Sequence, residues 1–166
     1  MLKPNLHVAS VTDVTVAWLR EHGVRAVLID ADDTLVVRDG APVGTDVRAW
    51  LDALKAAGIA VALLSNGTRA RVAALGVDLG VRAFALSGKP FGFAFRRGLR
   101  ALGSDARHTA MVGDQLFTDV FGANCAGLIS ILVTPLSPGR HAHTRAARRL
   151  ERWVLAGGGH GRPVDR

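Results

Sequence analysis

Ala26-Val-Leu-Ile-Asp30-Ala-Asp32-Asp33-Thr34-Leu35 is the stretch that decides the fold. Four apolar residues in unbroken succession, Ala26 to Ile29, describe a strand covered on both faces, as in a parallel sheet. The run ends on the carboxylate of Asp30, and Asp32 follows two positions later. At a strand end, two carboxylates so spaced reach the same crevice. An Asp-x-Asp by itself is common turn chemistry, so the rest of the chain decides how it is read.

Outward from this point, apolar runs alternate with helix-like segments. Asp46 to Ala57 carries Val47, Trp50, Leu51 and Leu54 at helical spacing, with Thr45 or Asp46 to cap it and Gly58 to end it. Ile59 to Leu64 reads as a second buried strand, followed by Ser65-Asn66-Gly67 and a helix from Thr68 to Leu75 closed by Gly76. A short strand lies around Arg82 to Leu86, and Lys89-Pro90 opens a helix to about Leu102. Thr109 to Gly113 is a fourth strand, Asp114 follows it, Leu116 to Ala126 forms a helix, and Leu128 to Val133 is the fifth strand. The alternation predicts an α/β fold with a five-stranded, mostly parallel sheet flanked by helices and joined by right-handed crossovers. One domain accounts for residues 1–155: an N-terminal segment, 1–24, with a helix from Val14 to His22, the sheet, and a basic helix over 143–155. Residues 156–166 read as a disordered tail.

In an open parallel sheet the loops after the strands form the ligand crevice, and here they collect one chemistry. Magnesium favours a few carboxylate oxygens together with water and phosphate oxygens. Asp30 and Asp114 are candidate side-chain ligands, with the backbone carbonyl of Asp32 as a third. Asp30 is the candidate nucleophile toward phosphorus, through an aspartyl-phosphate, and Asp32 the candidate general acid and base. Ser65 and the N–H groups beside it, with Lys89, would hold the transferring oxygens; Asn66 and Thr34 are counted with this phosphate-binding set. Asp119 is expected to orient Lys89 or its loop, and Asp33 to be exposed or to bond the local turn.

These residues resemble the four motifs of the haloacid-dehalogenase superfamily: Asp30 to Leu35, Ser65, Lys89-Pro90, and Gly113-Asp114 with Asp119. A narrower resemblance, to the YqeG family of small capless phosphatases, rests on several segments. They are Leu2-Lys-Pro4 with Val8 to Val11, Ser65-Asn66 with Arg71-Val72, Gly88-Lys-Pro90, Gly113 to Val120, and Thr144 to Leu155. The resemblance implies a Rossmann-like, capless fold, Mg2+ as cofactor and the site roles above. It implies a membrane-presented lipid phosphate, phosphatidylglycerophosphate, as leading substrate, with a soluble sugar or nucleotide phosphate as the alternative. It leaves room for a homo-oligomer whose neighbouring protomer covers the site. Asp33 departs from the asparagine usual there, and Ala31 from a larger apolar residue. Spacing supports the capless reading independently, since one helix and one strand fill each interval from Asp30 to Ser65 and from Ser65 to Lys89.

Lys and Arg outnumber Asp and Glu by 21 to 14, a formal charge of +7. That balance favours anionic company: phosphorylated metabolites, an anionic membrane surface or nucleic acid. Nucleic acid is disfavoured because no recognition motif with interleaved aromatics is present. For the arginine-rich helix, Arg145 to Arg152 with Leu150, Trp153 and Val154, two readings stand: it packs its apolar side on the sheet, or it rests on anionic headgroups. A single cysteine, Cys125, allows no internal disulfide and reads as a small packed residue. Without an apolar stretch of roughly 18 residues or a signal-like N-terminus, the chain reads as cytoplasmic, with peripheral contact at the inner membrane face open.

Overall fold

A computed structural model of the chain describes residues 1–37 and 41–137. Six parallel strands form one sheet in the order β1-β6-β5-β2-β3-β4. They are β1 (Leu6–Val8), β2 (Ala26–Ile29), β3 (Ala60–Leu64), β4 (Arg82–Phe84), β5 (Thr109–Gly113) and β6 (Ile129–Val133). The helices are α1 (Val16–Glu21), α2 (Thr45–Ala56), α3 (Arg69–Leu79), α4 (Gly92–Leu102) and α5 (Gly122–Ala126). β2 lies in the middle, its four residues all buried, as its uninterrupted apolar run requires.

Alternation along β2 divides the core. Val27 and Ile29 face a cluster containing Leu19 of α1, Trp50, Leu51 and Leu54 of α2, and Leu79 of α3. Leu28 faces the opposite cluster, with Ala94 and Phe95 of α4 and Ala123 of α5. Trp50 is held in place by its indole N–H, which donates to the Val14 carbonyl at 2.8 Å. The sheet is thus filled on both faces and leaves its strand-end edge for polar groups.

Several expectations are corrected. The sheet has six strands, not five, because the N-terminal segment contributes β1 alongside β6. The second crossover helix runs on to Leu79 and ends at Gly80, whose φ of 62° suits a left-handed cap. Gly76, expected to end it, instead packs against β4, where a Cβ would lie 2.6 Å from that of Ala83. Pro90 precedes the next helix rather than opening it, and the Lys89–Pro90 peptide is cis. Cys125, read as packed, is exposed.

Among the described residues, only α2 and β3 lie between Asp30 and Ser65, and only α3 and β4 between Ser65 and Lys89. Among the described residues the fold is capless. No helix among the described residues is long and apolar enough to cross a membrane. The expected basic helix over 143–155 and the tail lie outside the described residues.

Candidate active site

The path of the chain across the sheet fixes where a site can form. From β2 it adds β3 and β4 on one side, then crosses over to β5 and β6 on the other. Loops diverge at that reversal, between β2 and β5, which is where open α/β sheets bind ligands. Asp30 and Asp114 follow these two strands directly, and the Asp30 N–H donates to the Val112 carbonyl at 2.9 Å. A cavity of about 200 Å3 opens there, lined by Asp30, Asp32, Ser65, Asn66, Gly67, Lys89, Gln115 and Thr118.

Lys89 is the centre of the charge arrangement. Its ammonium, 1% exposed, donates to Asp30 Oδ1 at 2.9 Å and to Asp119 Oδ1 at 2.7 Å. Burial alone would push the Lys89 pKa down, but Asp119 and Asp30 outweigh it and hold the pKa above its ordinary value. Asp119 spends its other oxygen, Oδ2, accepting the Gln115 N–H at 3.1 Å. It stands on a wide, π-helical turn, Leu116–Phe121, which aims it back toward the strand end.

Asp114 has no cation of its own among the described residues. Burial, then the charges of Asp119, Asp30 and Asp33, push its pKa up to about 8, opposed by a hydrogen bond from Thr34. Asp119 is likewise pushed up to about 6, chiefly by burial, against the pull of Lys89. One carboxylate oxygen from each of Asp30, Asp114 and Asp119 lies within 4.8 Å of the others. Three buried carboxylates thus crowd together while the one buried ammonium pairs with only two of them, and an all-oxygen donor set of this kind fits Mg2+. Asp30 and Asp114, each with an oxygen not committed to Lys89, are the residues that would hold it.

Thr34 and Asn66 make side-chain contacts that the sequence did not specify. The Thr34 hydroxyl is buried and donates to Asp114 Oδ1 at 3.2 Å, so it braces a carboxylate rather than lining the cavity. Asn66 lines the cavity but turns its side chain onto the Lys89 loop. Its Oδ1 accepts from the Ser87 hydroxyl and from the N–H groups of Gly88 and Lys89, and its amide donates to the Lys89 carbonyl. Asn66 therefore sets where Lys89 stands. Asp33, expected to be exposed or to bond the turn, does the second while buried. It takes a left-handed φ of 62°, donates its N–H to the Val36 carbonyl and accepts the Ser137 hydroxyl.

Arg71, Gln115 and Thr118, which the sequence placed in family segments without giving them a role, join the site. Arg71, in the first turn of α3, places Nε 2.9 Å from Asp32 Oδ1 and donates to the Val37 carbonyl, fixing the direction of Asp32. Two glycines are demanded by crowding. A Cβ at Gly67 would lie 3.0 Å from Asp32 Oδ2 and 3.2 Å from Ser65 Oγ. One at Gly113 would run into the Asp119 carboxylate. Gly113→Ala should therefore cost about 1–3 kcal/mol in denaturant unfolding, with activity falling alongside; wild-type stability would mean that Asp119 yields freely.

Comparisons with known proteins agree with this geometry. A family model described as HAD-hydrolase-like matches residues 86–153. The probable phosphatase YqeG of Bacillus subtilis is 33% identical over 153 residues, covering 92% of this chain and 89% of its own length. A phosphatidylglycerophosphate phosphatase of Arabidopsis thaliana is 28% identical over 98% of this chain, which spans half of that protein. Among solved structures, 3-deoxy-D-manno-octulosonate 8-phosphate phosphatase of Moraxella catarrhalis, in complex with magnesium and phosphate ions, shares the fold. Its TM-score is 0.53 at 19% identity, over 86% of this chain and 92% of its own. With four strand-end motifs at the reversal of the sheet and a relative matched over nearly its whole length, the chain belongs to the YqeG family of haloacid-dehalogenase phosphatases.

Proposed function

We propose that the protein dephosphorylates phosphatidylglycerophosphate to phosphatidylglycerol, with Asp30 as nucleophile. The observation that carries the chemistry is the buried Lys89 held between Asp30 and Asp119 beside Asp114. When bound, Mg2+ offsets the negative charge of the carboxylates and the phosphoryl group, so that one anion can approach another. An oxygen of Asp30 attacks phosphorus and the bond to the leaving oxygen breaks, giving an aspartyl-phosphate. Asp32, directed by Arg71, gives its proton to the leaving oxygen and then takes one from the water that hydrolyses the intermediate. Ser65 Oγ, the Asn66 N–H and Lys89 Nζ hold the transferring oxygens; the Asn66 N–H donates to no group among the described residues. Asp119, Thr34 and the Asn66 side chain position Lys89 and Asp114.

Three observations support the lipid. The Arabidopsis relative carries that activity in its name, the capless site is open to a phosphate presented on a large surface, and the chain is strongly basic, at +7. The expected contact with the inner membrane face, through the arginine-rich segment after Thr144, belongs to the same proposal.

The test is phosphate release from phosphatidylglycerophosphate in mixed micelles, with and without Mg2+, beside a panel of soluble sugar and nucleotide phosphates. Metal-dependent release from the lipid well above every soluble ester is the expected result. Faster turnover of a soluble ester would keep the phosphatase and replace the substrate.

A further inference from the structure

The catalytic cavity is lined mainly by polar side chains and, at about 200 Å3, is smaller than the ~300–1,000 Å3 of ordinary small-molecule pockets. It can take a phosphoryl group and little more. Whatever the phosphate is attached to must lie outside, against the rim, and the rim is apolar. Leu86 (57% exposed), Phe91 (65%), Phe93 (54%) and Phe117 (53%) all project from the loops that carry the site. Phe91 and Phe93 bracket the start of α4, two and four residues past Lys89, with rings stacked at 6.1 Å; the Phe93 ring also covers Gly88. Phe117 stands next to Thr118 of the cavity lining, stacked on Phe121 at 5.2 Å. The segments that carry the two pairs run close together: a Cβ at Gly122, next to Phe121, would lie 3.0 Å from Pro90 Cα.

Cationic groups border this rim. Leu86 shares a groove with Arg69 and Arg97, both exposed and neither paired with an acidic group among the described residues. Arg97 stacks over the Phe84 ring at 4.9 Å, and the Arg96 guanidinium lies beside Gly92 between the two phenylalanines. Exposed aromatic and aliphatic side chains interleaved with arginines are the make-up of a surface that seats at the headgroup boundary of an anionic bilayer. The position of the rim argues for the same occupant. A protein seated there would close the mouth against incoming substrate, whereas a bilayer brings the phosphate with it.

We infer that the catalytic rim, Leu86, Phe91, Phe93 and Phe117 with Arg69, Arg96 and Arg97, docks the enzyme on an anionic lipid surface with its cavity facing the headgroups. This deepens the proposed function and rests on it for the substrate, but the docking is tested without turnover. Full-length protein is sedimented with phosphatidylcholine vesicles, with and without phosphatidylglycerol, in EDTA. Wild type should partition onto the phosphatidylglycerol vesicles. Phe91→Ser/Phe93→Ser should lower that partitioning at least about tenfold. Val77→Ser, which removes a still more exposed apolar group (84%) near the far end of α3, should not.

A second measurement does not depend on a polar substitution being tolerated. Phe91→Trp should show a blue shift of indole emission beyond that of wild type, which already carries Trp18, Trp50 and Trp153, when phosphatidylglycerol vesicles are added, since the added ring leaves water. No binding by wild type, equal binding by the serine variant, equal loss with Val77→Ser, or no emission shift in Phe91→Trp beyond that of wild type would each overturn the docking. So would a dimer in light scattering that the serine variant dissolves while vesicle binding stays unchanged, because the rim would then belong to a second copy. Vesicle docking without release of phosphate from phosphatidylglycerophosphate would leave the docking in place and remove the substrate.

Discussion

Asp30→Asn should lower kcat toward any phosphate ester on the order of 10^4-fold or more, while leaving the fold intact. Asparagine keeps the shape of the side chain and can still accept from Lys89, but its amide cannot form the phosphoryl bond. Two effects on stability oppose each other. Lys89 loses one of its two charged partners, although it keeps Asp119 at 2.7 Å. Against that, Asp30 is among the charges that push Asp114 up to about 8, and removing it relieves that repulsion. The melting temperature in EDTA should therefore be unchanged or slightly raised, the pattern of a site that trades stability for function. Labelled substrate followed by acid quench should leave phosphate on wild type and none on the variant. A variant keeping more than about a hundredth of wild-type kcat would remove Asp30 from the role of nucleophile.

Why the role of Asp30 could be read from sequence, while Arg71 stood only as part of a family segment with no role, is a matter of what local pattern encodes. Burial on both faces writes itself as an uninterrupted apolar run, so Ala26 to Ile29 announces a central strand and Asp30 its end. The same logic found Ser65 and Asp114 after β3 and β5. Residues without such a frame were missed or misjudged. β1 is three residues long, and only its pairing with β6 makes it a strand; nothing in Leu6-His-Val8 by itself requires one. Arg71 lies on a partly exposed helix face, and only the tertiary fold brings it to Asp32.

Thr34 and Asn66 show a subtler limit, because sequence placed both at the right edge of the sheet but did not give the bonds their side chains make. The deciding partner is remote in each case: Asp114, 80 positions from Thr34, and the Lys89 carbonyl, 23 positions from Asn66. A motif fixes which loop a side chain belongs to. Its hydrogen-bond partner is chosen by how neighbouring loops fold over one another, and that choice separates groups that touch phosphate from groups that hold the machinery still. Asp33 illustrates the same limit, since its left-handed backbone and buried carboxylate follow from a turn closed by Val36, Leu136 and Ser137.

Lys89→Met should be the most destabilising single change at the site, costing about 3–5 kcal/mol in metal-free protein at about pH 8. Methionine fills most of the volume, so a cavity is not the cause. The substitution regains the desolvation cost of a buried ammonium, but leaves the buried Asp30 and Asp119 side chains, 5% and 0% exposed, with no cation beside them. Removing one partner from a buried pair costs more than the pair itself contributes, because the remaining charge stays out of water. The pH dependence follows from the sign of the shifts. Without Lys89 the Asp119 pKa rises further above its ordinary value, so the folded variant holds a proton that its unfolded chain releases. Its stability therefore falls as pH rises from the ordinary carboxylate range to the elevated pKa values, and the deficit against wild type widens from about pH 5 to about pH 8. Added Mg2+ should recover part of the deficit in stability but not the activity, since Nζ is also needed on the transferring oxygens; kcat should fall at least ~10^2-fold. Equal unfolding midpoints for variant and wild type in EDTA at about pH 8 would show that the three carboxylates do not depend on Lys89, and the electrostatic account of the site would fail with them.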